Sequence, residues 1–159
     1  MQKKKWYVLY VKSNHERKVE KRINDLAGNV VAFCPTRTEV RVWSDRKKKI
    51  QVPLLSRMIF IQAQEADRAS VFNVPGALNY LYDNGEPGLV QENEIKHLKR
   101  ISENPNIIGH EIEQMLPGTL INLERFGFEN EDGIIQKSTK NNIWVVLGSL
   151  GFVVKLQIN

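Results

Sequence analysis

A chain of 159 residues is long enough for one ordinary domain or two small ones. Its 42% hydrophobic and 26% charged residues exclude a disordered composition, and no apolar run approaches the roughly 20 residues that a bilayer span needs. The formal charge of +5 points to an anionic partner because the cations are concentrated between residues 3 and 49, while the stretch 86–132 is rich in Glu and Asp.

Lys3-Lys4-Lys5 leads into Trp6-Tyr7-Val8-Leu9-Tyr10-Val11, a run too short for a signal-peptide core and without a small-residue cleavage site after it. It reads as a buried strand of a cytoplasmic protein. Ser13-Asn14-His15-Glu16 has the form of a capping box, with the Ser13 hydroxyl placed for the Glu16 amide and the Glu16 carboxylate for the Ser13 amide. The helix that follows carries Val19, Ile23 and Leu26 on one stripe and Arg17, Lys18, Lys21 and Arg22 elsewhere, and ends near Gly28-Asn29. Asn29 to Pro35 is a second strand. The single cysteine, Cys34, reads as a small buried hydrophobe on it, since no Cys or His stands at metal-ligand spacing.

Glu39-Val40-Arg41-Val42 and Lys49-Ile50-Gln51-Val52 alternate with period two on either side of Trp43-Ser44-Asp45-Arg46, which predicts a basic hairpin. Pro53 to Ile61 supplies a further strand, 66–72 a short helix, Val74-Pro75-Gly76 a turn, Ala77 to Tyr82 a strand, and Asp83 to Gly88 a loop. Ile95, Leu98 and Ile101 mark a helix from Glu92. Residues 103–115 show neither helix nor strand period and read as a linker. Beyond Pro117-Gly118 the pattern is strand only, with segments at Thr119–Leu123, Gly133–Gln136, Ile143–Leu147 and Phe152–Ile158, as in a small barrel. The fold class is therefore α+β: an antiparallel sheet flanked by helices over 1–102, a linker over 103–115, and a small all-β barrel over 116–159.

The order of these segments resembles the NusG family of transcription elongation factors, including operon-specific members such as RfaH and the antiterminators of capsular polysaccharide operons. Lys5-Trp6-Tyr7-Val8-Leu9-Tyr10 with its basic helix, Cys34-Pro35-Thr36, Pro53-Leu54-Leu55 with Ile59-Phe60-Ile61, and Asn73-Val74-Pro75-Gly76 carry the likeness in the amino-terminal part. Leu116-Pro117-Gly118, Gly127-Phe128 and Gly133-Ile134-Ile135 resemble a KOW motif. Two features depart from the family pattern. Leu55-Ser56-Arg57-Met58 stands where the family has Phe-Pro-Gly-Tyr, and Glu129-Asn130-Glu131-Asp132 makes the KOW loop acidic. Both suit a specialised paralogue rather than the general factor.

The resemblance implies site residues. On pattern alone Tyr10, Leu54, Leu55, Met58 and Tyr80 read as core; the resemblance implies a partly exposed patch that receives the clamp helices of the RNA polymerase β′ subunit. Lys12, Lys18 and Arg22 read as a solvated helix face, and the resemblance implies contact with the non-template DNA strand, with Arg68 beside them. Arg46, Lys47, Lys48 and Lys49 form either a solubilising hairpin tip or a reach toward the polymerase gate or upstream DNA. The KOW barrel would take a ribosomal protein or termination factor Rho, and is expected to be a free barrel rather than a helical hairpin, because a stretch rich in Ile, Val, Leu and Phe and interrupted by several glycines favours strands over helix.

His15, His97 and His110 have no Ser, Cys or carboxylate that sequence can set beside them, and Gly127 and Gly133 lack the Lys and Ser/Thr of a phosphate-binding loop. The expected protein is a monomeric, cytoplasmic, non-enzymatic elongation or antitermination factor without metal, cofactor or membrane partner. A ribosome-associated KOW-type RNA-binding protein is the alternative, from which the amino-terminal module separates it.

Overall fold

The computed structural model describes residues 3–26, 28–114, 135–138 and 141–158. In chain order the elements are β1 (Lys5–Val11), α1 (Glu16–Asp25), β2 (Val31–Phe33), β3 (Thr36–Val42), β4 (Lys47–Pro53), β5 (Met58–Ala63), a 3-10 helix (Glu65–Asn73), β6 (Ala77–Tyr80), β7 (Tyr82–Asp83), β8 (Glu86–Pro87), β9 (Leu89–Val90), α2 (Glu92–Ser102), β10 (Ile107–Gln114), β11 (Ile135–Ser138), β12 (Asn142–Leu147) and β13 (Phe152–Ile158). They divide into two compact units, Met1–Pro35 with Pro53–Glu92, and Thr36–Val52 with Asn93–Asn159. The α+β class is borne out.

The first unit is an antiparallel sheet in the order β2-β5-β1-β6, with β9 also pairing β1. Directly opposed residues share a face, so the register Leu9↔Ile59 and Leu9↔Tyr80 puts Tyr7, Leu9, Val11, Ile59, Ile61 and Tyr80 on one side. That side forms a core with Val19 and Ile23, the buried stripe of α1. Leu26, expected to extend the stripe, is exposed because the helix stops at Asp25 and the chain turns to extended geometry at Leu26. Gly76, at φ +101°, lets the Val74-Pro75-Gly76 turn close on α1: a Cβ there would stand 2.8 Å from Val19 Cγ2.

Several local expectations are corrected. The capping box does not form. Asn14 takes a left-handed φ of 64°, the helix starts two residues later than the box requires, and His15 stands at the N-cap without a side-chain cap bond. The Glu16 carboxylate accepts instead from the amides of Asn14 and Arg57. Pro53 closes β4, and Leu54 to Arg57 is a turn rather than the start of a strand, with Arg57 at φ 63°. Cys34 follows β2 and is buried. Inside the expected loop at 83–88, β7 and β8 make a small hairpin whose central Asn84 and Gly85 both have positive φ, the requirement of a type I′ turn.

In the second unit α2 buries Ile95, Leu98 and Ile101, as its spacing predicts. Its sheet runs β11-β12-β13-β10-β3-β4. The segment read as a linker carries β10, which pairs along β13 and meets β3 in parallel at Ile108↔Thr38. The strand was hidden from period counting by a bulge at Gly109, which breaks the alternation between Ile108 and His110. The free edge of β3 is a ready template for that pairing, where the sequence suggests a barrel apart from the rest. The described carboxy-terminal segments are strands. The expected strand Thr119–Leu123 and the KOW-like residues 116–118 and 127–134 lie outside the described residues.

Candidate functional site

Three surfaces collect the residues singled out by sequence. The first is the sheet face of the first unit that looks away from α1. Tyr10 on β1 lies directly opposite Met58 on β5 and Asn79 on β6, and alternation puts all three side chains on this face. Tyr10 and Met58 are half-buried, and Asn79 is exposed. Farther along the same face, Trp6, Val8 and Phe60 are buried, with the Trp6 indole donating to Glu92 Oε2 at 2.7 Å. The patch is therefore smaller than expected. Leu54 and Leu55 are fully buried in the turn before β5, and Tyr80 is buried on the opposite face by its register with Leu9.

Tyr80 belongs to a different constellation. Its hydroxyl donates to the Arg68 carbonyl at 2.8 Å, and burial raises its pKa above that of an ordinary tyrosine, opposed by the nearby Arg68 charge. The Arg68 guanidinium lies 5.0 Å from the Tyr7 ring centroid and 5.3 Å from that of Tyr80. Arg68 is thus held among aromatic rings and is not a free member of the α1 cation face. Beside it, Lys5, Glu65 and Glu86 line a cleft of about 270 Å³ whose charges balance.

The second surface is that cation face. Lys18 and Arg22, four residues apart, are both exposed on α1, as is Lys12 at the end of β1. One turn gathers two of them: the Lys12 amide donates to the Gly76 carbonyl at 3.0 Å and Arg22 Nη1 to the Pro75 carbonyl at 3.1 Å.

The third is the hairpin of β3 and β4 in the second unit. Its base is fixed by Gln51, which accepts from the Thr36 hydroxyl and donates to Thr38 Oγ1. Every residue from Val40 to Lys49 is exposed, Arg46, Lys47, Lys48 and Lys49 included. Trp43, which sequence reading passed over as a turn residue, sits under two cations: the Arg46 guanidinium carbon is 5.5 Å and Lys48 Nζ 5.2 Å from its ring centroid. The signal that could have found it was an aromatic residue three positions before a run of four cations. Among the described residues no group of His, Cys, Asp or Glu is arranged to hold a metal ion.

The family model for transcription termination factor NusG matches residues 4–99, more than half of the chain. The chain belongs to the NusG family. A solved structure described as domain interaction in Thermotoga maritima NusG superposes with a TM-score of 0.51 at 18% identity, covering 99% of this chain and 94% of that one; at this identity the likeness is one of fold. No curated protein matches the chain. Membership of the NusG family makes this a transcription factor of the elongation and antitermination class, a family of proteins that are not enzymes and that typically bind RNA polymerase. No helix among the described residues is long and apolar enough to cross a membrane.

Proposed function

We propose that this NusG-family protein is an operon-specific elongation and antitermination factor of the cytoplasm, acting as a monomer. Its Tyr10–Met58 face docks the β′ clamp helices of RNA polymerase, and Lys12, Lys18 and Arg22 take the non-template DNA strand. Bound in this way it opposes pausing, because only a ligand with higher affinity for the active than for the paused enzyme shifts that equilibrium. The functional modules are residues 1–102 and a KOW-like module over 116–159 that recruits a ribosomal protein or Rho, with the β10-bearing stretch 103–115 between them in sequence. The family match, ending at residue 99, supports the first boundary.

The observation that carries the reading is the Tyr10–Met58 pair: two large apolar side chains, adjacent on paired strands and half-exposed, on the sheet face opposite the helix-covered core. An aromatic anchor of this kind contributes about 2 kcal/mol to a protein interface, or ~30-fold in affinity. Tyr10→Ala with Met58→Ala should abolish co-purification with polymerase from a bacterial lysate while the circular dichroism spectrum is unchanged. Undiminished recovery of polymerase subunits, or recovery of ribosomal subunits in their place, would sink the proposal.

A further inference from the structure

We infer that the β3–β4 hairpin is a binding site for single-stranded nucleic acid, with a base stacked on the Trp43 ring and the strand's phosphates neutralised by Arg46 and Lys48, the two cations that reach that ring. The site uses residues other than the Lys12–Lys18–Arg22 face and needs no polymerase, so it goes beyond the function proposed above.

The argument starts from what the hairpin leaves exposed. Trp43 is 43% and Val42 71% exposed at the end of the hairpin, and what partly covers the Trp43 ring is the pair of cations Arg46 and Lys48 rather than apolar packing. Directly after the turn, four consecutive cations repel one another. The ion pairs among the described residues are Lys21–Asp25 and Arg41–Glu39, so none of Arg46, Lys47, Lys48 and Lys49 has a carboxylate partner there. Across Thr36–Val52 six cations stand against two carboxylates. A polyanion relieves that repulsion and releases its own counterions in doing so.

The position of the aromatic ring selects among polyanions. Lys48 reaches the Trp43 ring, so it shares that face of the hairpin, while Lys47 and Lys49 alternate to the other. Cations over an exposed ring are held weakly and give way to a stacking base while keeping their reach to its phosphates. A duplex presents phosphates but keeps the faces of its bases inside the stack. An acidic protein surface offers charge but no flat π-face. A single strand presents both, which is why aromatic residues interleaved with cations are the recurring device of single-strand binding. Stacking and phosphate contacts carry no base code, so the site is sequence-tolerant.

The test uses the full chain carrying Lys12→Ala, Lys18→Ala and Arg22→Ala, so that the α1 face contributes nothing. The probe is a fluorescein-labelled 12-nucleotide oligothymidylate, read by anisotropy at several salt concentrations beside a duplex of equal length. Trp43→Ala should weaken single-strand binding roughly 5- to 100-fold, and Trp43→Phe should restore most of it. Replacing Arg46 and Lys48 by Gln should flatten the dependence of log K on log salt by about 0.7 for each phosphate no longer neutralised. Binding that is the same in Trp43→Ala, a duplex bound as tightly as the single strand, or no measurable binding of the oligonucleotide overturns the inference. None of these outcomes bears on polymerase co-purification through Tyr10 and Met58, so the two proposals fail separately.

Discussion

The carboxylate of Glu16, in the first turn of α1, accepts a hydrogen bond from the backbone amide of Arg57 at 3.3 Å, forty-one residues away, and with the same oxygen from the amide of Asn14 at 3.0 Å. Both donors sit at left-handed φ, so one side chain holds two strained corners, one at the helix entry and one just before Met58. Glu16 is itself buried, and its loss leaves two amides to find water or go unpaired. Glu16→Ala should cost about 1–3 kcal/mol in urea unfolding. Glu16→Gln, which keeps an acceptor, should cost less.

Burial separates two residues that sequence alone groups together. Leu55 is fully buried, whereas Tyr10 is half-buried on the sheet face away from α1. Leu55→Ala should therefore destabilise the protein by about 2–5 kcal/mol through lost transfer energy and the cavity left behind. Tyr10→Ala should shift the urea midpoint far less. A Leu55→Ala protein as stable as the parent would show that the turn before β5 repacks around the missing side chain.

Cys34 should be chemically silent. Burial, reinforced by the nearby Glu20 carboxylate, pushes its thiol up to about 12, so the reactive thiolate is scarce at neutral pH. The same Glu20 accepts from the Cys34 amide at 2.6 Å and fixes the chain at that point. Labelling with a thiol-specific disulfide reagent at pH 8 should be negligible in the native protein and stoichiometric in denaturant. Rapid native labelling would mean that this segment opens readily.

What was legible in the sequence is local, and what was not depends on pairing across the chain. The apolar run of β1 and the Ile95, Leu98, Ile101 stripe of α2 declare themselves within one element, and the structure places them as expected. The side of the sheet on which a tyrosine lies does not. Tyr10 and Tyr80 look alike in sequence, but the bridges Tyr10↔Asn79 and Leu9↔Tyr80 send them to opposite faces. Arg68 reads as one more cation until the rings of Tyr7 and Tyr80 are found beside it. The capping box failed because the φ of Asn14 is set by where the chain goes next, which a four-residue pattern does not encode. Trp43 needed the hairpin closed before its two cations met it.

The second unit contains a carboxylate whose charge works against folding. Glu94 on α2 is buried; one oxygen accepts from the Ser149 hydroxyl at 2.8 Å, and the other is buried without a hydrogen-bond partner. Burial raises its pKa, and the bonds from Ser149 only partly offset that. For a carboxyl whose folded pKa lies above its unfolded value, the contribution to stability is fully present below the unfolded pKa and is lost as pH rises through the folded pKa. Glu94→Gln keeps an acceptor for Ser149 and removes the charge. It should therefore be more stable than the parent at pH 7, with the difference shrinking as the pH falls toward and below the usual carboxylate range. Urea midpoints of the two proteins between pH 4 and 8 measure this directly, and a gap that does not change with pH would mean that Glu94 is better solvated than its packing implies.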